Sequence, residues 1–311
     1  MTITPVDLDA RVDAPSADVA PDADAVTTKN SKKRRDDQVN LVSSTAFFAL
    51  HLTPLLAFWT GITATAVALF FVTFFGRMWA ITAGYHRYFS HRSFRMNRFW
   101  GAVLAFAGTT AAQKGPLWWA AHHRNHHRYS DTEKDIHSPK KGFWWSHVVW
   151  ILCDKYNKSD QNLIRDFSKY PEMRFIDKYD WIGPWALGIT CFLVGGWSGL
   201  VVGFFASTVL LWHSTFTINS LAHVWGRRVY ETEDTSRNNP YLAMLTGGEG
   251  WHNNHHRYPF SARQGFRWWQ IDTTYYGIKV LSWVGIVRDI RPVPPAIIDE
   301  AHALPAEKSS A

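Results

Sequence analysis

Two long stretches without a charged side chain constrain the fold of this chain more than any other feature. One runs from Gln38 to Gly76 and the other from Trp181 to Gly226, and neither contains Asp, Glu, Lys or Arg. At ~1.5 Å per helical residue, each stretch is about twice as long as the hydrocarbon core of a bilayer is thick. A helix pair buried in a soluble core is the alternative. The sequence favours membrane-spanning helices near residues 41–58, 61–83, 181–195 and 199–224.

The basic residues around these stretches predict the orientation of the chain in a membrane. The run Lys32–Arg35 directly precedes the first stretch, and further arginines follow it at Arg77, Arg87, Arg92 and Arg95. The turns expected at 59–61 and 195–199 carry no charge. Because loops rich in Lys and Arg stay in the cytoplasm, we expect both termini and the middle segment there. The predicted fold class is an all-α integral membrane protein, with four transmembrane helices in two hairpins and a cytoplasmic helical cap.

The two ends of the chain differ from its middle. Residues 1–36 are rich in Asp, Ala, Pro and Thr and contain almost no large apolar side chains, a composition that cannot bury enough surface to fold. We expect a disordered tail there, and it lacks the apolar core of a secretory signal peptide. Residues 37–292 are predicted to form one membrane domain, and residues 293–311 a C-terminal tail.

The composition argues for some functional classes and against others. The chain carries 17 Trp and 20 Phe, which favour a membrane interface or an apolar tunnel. Its net charge is +7, but no nucleic-acid-binding motif accompanies that charge, so we expect membrane lipid and not nucleic acid as a partner. The two cysteines, Cys153 and Cys191, are too few for a disulfide framework and show no C-x-x-C spacing.

The pattern H-x-x-H-H occurs twice, at His123–His127 and at His252–His256. Positions i, i+3 and i+4 of a helix share a face, so each trio is expected to direct its imidazoles into a common volume. Adjacent histidines lie ~100° apart around a helix, which allows each box to serve two neighbouring metals. Imidazole suits zinc, copper, iron and nickel. The alternative interpretation is that these are ordinary surface or core histidines. Two such boxes in one chain make that interpretation less favourable than metal binding.

Further polar residues stand beside the predicted spans. His86 and His91 follow the second span, and because a spacing of five does not share a helical face, we expect the helix to end or bend between them. Asn219 and His223 lie one turn apart near the end of the fourth span. No Asp or Glu lies inside a histidine box, whereas hydrolytic two-metal sites more often include carboxylates. The residues therefore favour oxidative chemistry on a lipid chain at a two-metal site. The candidate ligands are His86, His91, His123, His126, His127, His223, His252, His255 and His256.

Four motifs in this order resemble a known family. They are H-R-Y-F-S-H at 86–91 (the first histidine box), H-R-N-H-H at 123–127 (the second box), N-S-L-A-H at 219–223, and G-E-G-W-H-N-N-H-H at 248–256, which ends in the third box at 252–256. The chain resembles the membrane fatty-acid desaturases of the Δ9, stearoyl-CoA desaturase-like group over roughly residues 40 to 292. The lead-in Gly115–Trp119 is similar to that of bacterial members, so a bacterial cell membrane is the expected location.

The resemblance implies a reaction and a set of roles. It implies that the nine histidines bind two irons, that Asn219 contacts one iron through water, and that a cis double bond is inserted with O₂. It also implies that two electrons come from a separate donor protein of ferredoxin or cytochrome b5 type with a reductase. Gln113, Trp119 and Thr215 match positions at which the family shapes the bend of its acyl tunnel.

The acyl carrier and two rival functions stay open at this point. Ala121-His122 stands where animal acyl-CoA members have Arg-Asp, and Lys114 stands where they have Asn. Acyl-CoA is therefore favoured only by the resemblance, and a membrane lipid ester is the alternative. A di-iron hydroxylase or alkane oxygenase is the nearest rival enzyme, and a membrane metal transporter or sensor is the rival from another class.

Overall fold

The computed structural model describes residues 37–303, and the predicted tail at 1–36 lies outside that range, as do residues 304–311. Its α-helices are α1 (Thr45–Leu52), α2 (Ala57–Thr60), α3 (Ala64–Trp79), α4 (Arg98–Thr109), α5 (Pro116–Tyr129), α6 (Phe143–His147), α7 (Arg165–Ser168), α8 (Pro171–Lys178), α9 (Ile182–Ser198), α10 (Ser207–Asn219), α11 (Leu221–Val224), α12 (Pro240–Leu245), α13 (His252–Arg257), α14 (Thr273–Trp283) and α15 (Pro295–Ala303).

Shorter elements connect these helices. Two segments are π-helical, Ala80–Ser90 and Gly199–Ala206. Five are 3₁₀-helical, Thr53–Leu56, Pro139–Lys141, Val149–Leu152, Asp154–Tyr156 and Gln161–Ile164. Two short strands, β1 (Arg95–Met96) and β2 (Val287–Arg288), pair antiparallel with Arg95 opposite Arg288. The described part of the chain is therefore mostly helical, as the sequence predicts.

Two helical segments are long and apolar enough to cross a bilayer. They span Ala64–Ser90 and Ile182–Val224, and a shorter apolar helical stretch covers Thr45–Thr60. Both long segments lie where the sequence predicts membrane helices, although their boundaries differ from the predicted ones. The first extends beyond residue 83, and the second is longer than one bilayer crossing needs.

The second long segment turns back on itself at Gly196. That residue has φ 60° and ψ −153°, a backbone conformation that is essentially restricted to glycine. Past the turn, Gly199 lies so close to the carbonyl oxygen of Cys191 that a β-carbon would collide with it. Gly188 likewise faces Phe204 across the two limbs. The predicted break at 195–199 is thus a tight reversal that joins two closely packed helices.

The reversal at Gly196 lies beside the turn that precedes α3. Gly61, with φ 68°, forms that turn, and the Thr63 hydroxyl caps α3 by accepting from the Ala66 N–H at 3.2 Å. The Ser198 hydroxyl donates to the Gly61 carbonyl at 2.9 Å and accepts from the Thr63 N–H at 3.2 Å. The two turns therefore meet at one end of the molecule, and the histidine-bearing ends of the helices lie at the other.

The π-helix that follows α3 ends at Ser90, between His86 and His91, as the sequence predicts, but the two imidazoles still lie close together. From Ala80 to Ser90 the chain is π-helical, and the His91 N–H donates to the His86 carbonyl at 3.2 Å. A π-helix bonds residues five apart, so this spacing does share a face. The two imidazole centroids lie 4.8 Å apart. An α-helical periodicity was the wrong assumption for this segment.

A buried arginine attaches this π-helix to the C-terminal part of the chain. Arg87 is almost fully buried and donates to Asp272 at 2.9 Å, to Glu249 at 3.0 Å and to the Ala262 carbonyl at 2.8 Å. Removing one partner of such a buried ion pair is strongly destabilising, because it leaves an uncompensated charge. The segment from Glu249 to Asp272 is therefore held against this π-helix by buried polar contacts.

The predicted C-terminal tail contains ordered structure. Helix α15 covers Pro295–Ala303, and its Glu300 pairs with Arg257 at 2.6 Å. This ion pair joins the helix to the end of α13, directly after the third histidine box.

Candidate metal centre

The structure brings the nine predicted histidines together in two groups. In each group the potential ligand atoms all lie within 4.8 Å of one another. The five-histidine group consists of His86, His91, His123, His127 and His255. The four-histidine group consists of His126, His223, His252 and His256.

Each H-x-x-H-H box is divided between the two groups. In α5, His123 and His127 belong to the five-histidine group, while His126 belongs to the four-histidine group. In α13 the division is reversed, since only His255 joins the five-histidine group. The expectation that a whole trio shares one volume is wrong. The expectation that adjacent histidines face two neighbouring positions is confirmed, because successive side chains are ~100° apart.

The Nε2 atoms converge inside each group. His91 and His123 are 2.8 Å apart at Nε2, and the Nε2 of His255 lies 2.9 Å from that of His127 and 3.0 Å from that of His86. In the four-histidine group, the corresponding distance between His223 and His252 is 3.1 Å. The Nε2 atoms of these imidazoles therefore form two compact clusters of nitrogen donors, one in each group.

Burial keeps most of these rings neutral. It lowers the pKa of five histidines well below the usual value, and neighbouring imidazoles lower it further; these are His91, His123, His127, His252 and His255. A neutral imidazole offers a lone pair, which is the form that binds a metal. The donor chemistry of both groups therefore fits a metal ion.

Four carboxylates stand behind the histidines, and sequence reasoning missed all of them. Each lies at the outer nitrogen, Nδ1, of one ring, and together they are Glu249 at His86 (2.5 Å), Asp135 at His126 (3.1 Å), Asp131 at His223 (3.5 Å) and Asp234 at His256 (2.6 Å). An Nδ1–H held by a carboxylate leaves the Nε2 lone pair directed inward. Two of the acids follow the second box closely in sequence, but no pattern indicates which ring each one contacts.

These carboxylates are ionised at neutral pH. Burial raises the pKa of Asp131, but the bonds from His223 and Thr235 outweigh it and lower the pKa to about 2. The same balance holds the pKa values of Asp135, Asp234 and Glu249 below their usual range. The histidine contacts thus compensate for the cost of burying each negative charge.

Two histidines that contact carboxylates have pKa values shifted in opposite directions. Burial lowers the pKa of His256 to about 4 in spite of Asp234. Burial also acts to lower the pKa of His126, but Asp135 reverses the balance and raises it. A metal ion in the four-histidine group would bind His126 in its neutral form, with Nδ1–H donating to Asp135 and Nε2 free to coordinate.

A long, mainly apolar cavity of about 820 Å³ is lined in part by histidines of both groups. Its volume is in the range of small-molecule sites, and its wall includes His86 and His123 from one group and His126 and His252 from the other. The three predicted tunnel residues line it as well. The Gln113 side-chain amide donates to the Thr215 hydroxyl at 3.0 Å, and Trp119 stacks on His123 with centroids 4.9 Å apart.

Asn219 and His223 lie on either side of a helix break at Ser220. Helix α10 ends at Asn219, which lines the cavity, and α11 begins after Ser220. The predicted continuous helix over 199–224 is therefore interrupted. The Ser220 hydroxyl lies 2.9 Å from Nδ1 of His147, which is buried in α6. This contact joins the helix break at Ser220 to α6.

His147 belongs to a chain of three imidazoles outside both groups. Its Nε2 lies 3.0 Å from Nδ1 of His213, and Nε2 of His213 lies 3.0 Å from Nε2 of His51. Nδ1 of His51 contacts the Phe47 carbonyl at 2.7 Å. The chain connects α1, α10 and α6 beside the cavity, so these three imidazoles satisfy one another without joining either group.

A polar cleft of about 490 Å³ approaches the histidines from another direction. It reaches His127 of the five-histidine group and His256 of the four-histidine group, and its wall includes Arg128, Glu231 and Glu233. The two groups thus lie between an apolar cavity and a polar opening. Such a site offers nitrogen ligands to two metal ions next to a compartment that fits a lipid chain.

Comparison with known proteins identifies what this arrangement is similar to. Residues 61–280 match the family model described as "Fatty acid desaturase". That range begins at the turn before α3, includes all nine histidines and ends within α14.

Similar proteins act on acyl groups held by different carriers. An sn-1 stearoyl-lipid 9-desaturase from Anabaena variabilis is 37% identical over 261 residues, 82% of this chain and 94% of that protein. An acyl-CoA 5-desaturase from Anemone leveillei is 38% identical over 238 residues, 76% of this chain and 72% of that protein. A delta-9 acyl-lipid desaturase of Arabidopsis thaliana is 38% identical over 262 residues, 83% of this chain and 85% of that protein.

Proposed function

Because this chain belongs to the fatty acid desaturase family, we propose that it inserts a cis double bond at the Δ9 position of a long acyl chain. In this reaction a –CH₂–CH₂– unit becomes –CH=CH–. The two hydrogens removed, two electrons from a donor and two further protons reduce O₂ to two water molecules. The observation that carries the proposal is that both histidine groups contribute residues to the wall of one mainly apolar cavity.

We propose that the two groups hold two irons, with one ion in each. Imidazole nitrogen suits iron, and all nine inward-facing donors are histidines. Two irons bound there would supply the activation of O₂. Asn219 lines the cavity at the end of α10, which supports its role as a contact to one iron through water. The histidines would fix the positions of both ions, and the carboxylates behind them would keep the rings oriented.

The cavity residues orient the substrate. Gln113 and Thr215 both line the cavity and are joined by a hydrogen bond of 3.0 Å. Trp119 lies against His123 of the five-histidine group. A bend at this point would hold two adjacent methylene groups beside the ligands and prevent sliding. Fixed orientation of this kind makes a large contribution to enzymatic rate.

We propose a membrane lipid ester as the acyl carrier, although the resemblance alone favours acyl-CoA. Coenzyme A carries phosphate groups, which proteins bind through clusters of Arg and Lys. Among the described residues that line the long cavity, Lys114 is the single Lys or Arg, and Asp180 lines it as well. Phe47 of α1 and Trp185 of α9 also line the cavity, which supports entry of a chain from the membrane.

The basic residues near the second box are engaged elsewhere. Arg124 pairs with Asp166 at 2.9 Å and donates to the Phe89 carbonyl at 2.6 Å. Lys141 donates to the Asp135 carbonyl at 2.7 Å, and Arg128 lines the polar cleft. None of these three lines the described part of the long cavity, which further supports an uncharged or zwitterionic head group.

The function is tested by expression in a desaturase-deficient bacterial host. We expect new cis-Δ9 fatty acids in its membrane lipids, with the position of the double bond mapped by mass spectrometry, and none in cells that express His252→Ala. The purified protein, supplied with a donor and reductase, should desaturate acyl chains of phospholipid vesicles. Hydroxylated products in place of alkenes would refute desaturation, and turnover of acyl-CoA alone would refute the lipid carrier.

We propose that the described helices make four crossings, as two hairpins, with the histidines on the cytoplasmic side of a bacterial cell membrane. The reversal at Gly196 and the turn at Gly61 support this arrangement, because they divide the apolar helices into two antiparallel pairs whose turns touch through Ser198. The distribution of Lys and Arg supports the orientation, since basic segments stay in the cytoplasm.

Reporter insertions give a direct measurement of this orientation. Alkaline phosphatase inserted after residue 61 or after residue 196 should be active, because the enzyme folds only outside the cytoplasm. A green fluorescent protein fused to the C-terminus should fluoresce, because it matures inside. The reverse pattern at either position would refute the proposed topology.

We propose that electrons arrive from a separate protein of ferredoxin or cytochrome b5 type with its reductase. The polar cleft supports this route, because its wall includes His127 and His256, one histidine from each group. The apolar cavity would be filled by the acyl chain during the reaction, so the cleft also gives a path for protons and product water.

A further inference from the structure

We infer that the carboxylates behind the histidines make the two metal positions chemically unequal. Asp131, Asp135 and Asp234 support the four-histidine position, which would therefore be the more electron-rich one, and Glu249 alone supports the five-histidine position. This inference rests on the proposed role of the two groups as metal sites. It assigns each acid as a positioning residue for one metal ion.

Hydrogen bonds from backbone N–H groups hold the three acids of the four-histidine group in position beside its imidazole rings. Asp234 lies 2.6 Å from Nδ1 of His256, and its other oxygen accepts from the Ser236 N–H at 2.9 Å. Asp135 places both oxygens 3.1 Å from Nδ1 of His126 and accepts from the Asp131 N–H at 2.9 Å. Each carboxylate is thus held before any metal binds.

Asp131 is the third carboxylate of this group, and the imidazole beside it is His223. One of its oxygens accepts from the N–H and the hydroxyl of Thr235 at 2.7 and 2.6 Å and lies 3.5 Å from Nδ1 of His223. The Thr235 hydroxyl lies between them, 3.2 Å from that Nδ1, so Asp131 acts on His223 both directly and through Thr235. Within residues 37–303, no Arg or Lys forms an ion pair with any of these three acids. Their negative charges therefore act on the histidines without a competing cation.

The five-histidine group has a different environment. Glu249 contacts Nδ1 of His86 at 2.5 Å, but it also pairs with Arg87 at 3.0 Å and accepts from the Gln264 side-chain amide at 3.0 Å. In the described part of the chain no carboxylate lies within 4.0 Å of Nδ1 in the other four rings of this group. The single carboxylate beside the five-histidine group is therefore partly neutralised by Arg87, whereas the three carboxylates beside the four-histidine group pair with no Arg or Lys among the described residues.

This difference has a predictable consequence for bound ions. A carboxylate at the outer nitrogen makes an imidazole a stronger donor and fixes its orientation, and losing such a residue typically costs ~10–100-fold in metal affinity. Nearby negative charge also favours the more highly charged ion by Coulomb attraction. We therefore expect the iron of the four-histidine position to be the more easily oxidised of the two.

The test uses the full chain in detergent, loaded with ⁵⁷Fe and examined by Mössbauer spectroscopy. His91→Ala and His252→Ala first assign the two iron signals, since each removes a ligand from one group. Asp234→Asn and Asp135→Asn should then alter the signal that His252→Ala removes. Release of that iron to a chelator should become ~10–100-fold faster, while release of the other iron changes by less than about twofold.

Two further variants separate this effect from general damage to the cap. Glu249→Gln should act on the other signal, because its partner His86 belongs to the five-histidine group. Asp166→Asn removes a carboxylate that pairs with Arg124 on the same helix as the second box but contacts no histidine of either group, so both irons should stay. Redox titration of the wild-type protein should oxidise the four-histidine iron first.

Each result bears on a defined claim. Equal loss of both irons in Asp234→Asn and Asp135→Asn, or no faster release in either variant, would overturn the inference. Oxidation of the five-histidine iron first would also overturn it. A well-folded wild-type chain that binds fewer than two irons would instead overturn the proposed di-iron function itself.

Discussion

Replacing His127 with Ala should abolish desaturation and empty the five-histidine position. The Nε2 of His127 lies 2.9 Å from that of His255, and its ring centroid lies 4.6 Å from that of His91. In the described part of the chain no other side chain stands ready to replace this nitrogen donor. We expect activity to fall to background, a larger effect than the ~10–100-fold loss typical of residues behind a ligand. Iron analysis of the purified variant should show one ion fewer than the wild type.

A neighbouring histidine provides the matched control for this experiment. His122 is buried on the same helix, and its Nδ1 contacts the Trp118 carbonyl at 2.9 Å, but it belongs to neither group. His122→Ala removes the same number of atoms and should retain both irons. The fold of both variants should survive, since helix packing holds the membrane part together. Full desaturation by His127→Ala would show that the polyhistidine interpretation is wrong.

Replacing Thr215 with Trp should block the substrate cavity without disturbing the metal ions. Thr215 lines the cavity, where its hydroxyl accepts from Gln113 and donates to the Trp212 carbonyl at 2.9 Å. An indole at this position occupies space that the acyl chain needs, and overpacking typically costs ~1–3 kcal/mol. We expect activity to fall at least ~10-fold on an 18-carbon chain, or the product profile to shift toward shorter chains. Gas chromatography of products and iron analysis measure the two effects separately.

Thr215→Val distinguishes the effect of volume from the loss of the hydroxyl. Valine has nearly the same shape as threonine but does not bond to Gln113, so it tests the hydrogen bond alone. We expect Thr215→Val to keep the wild-type chain length with a smaller fall in rate. If Thr215→Trp lost iron, or left chain length and rate unchanged, Thr215 would not lie in the path of the substrate.

The positions of the membrane helices could be predicted because their cause is local. A run without charge is costly in water and favourable in a bilayer, and the reversal depends on one residue, Gly196, whose conformation is essentially restricted to glycine. The helical boundaries could not be predicted as well. The π-helix at Ala80–Ser90 depends on packing against α4, α5 and the buried Arg87 cluster, which an α-helical periodicity does not represent.

The clustering of the nine histidines agrees with the prediction from sequence, which chose six of them for their repeated helical spacing and three, His86, His91 and His223, for their position beside the predicted spans. Their division into five and four could not be predicted. His123 and His126 belong to one sequence motif but to different groups, and the division depends on how α5 faces α13 and the π-helix. Spacing gives the angle between neighbours, whereas only the packing of helices decides which neighbour from another segment meets each ring.

The sequence by itself determined the class of this protein, its apolar helices and the residues that supply nitrogen donors, since each follows from composition and short-range spacing. Only the tertiary structure decided the partners of those donors. Asp131 and Asp135 lie only a few residues after the second box, yet Asp131 supports His223 from a distant segment and Asp135 supports His126. Likewise Glu249 contacts His86 and not the nearby His252. Contacts between segments far apart in sequence depend on the folded arrangement of many helices, and no local pattern encodes them.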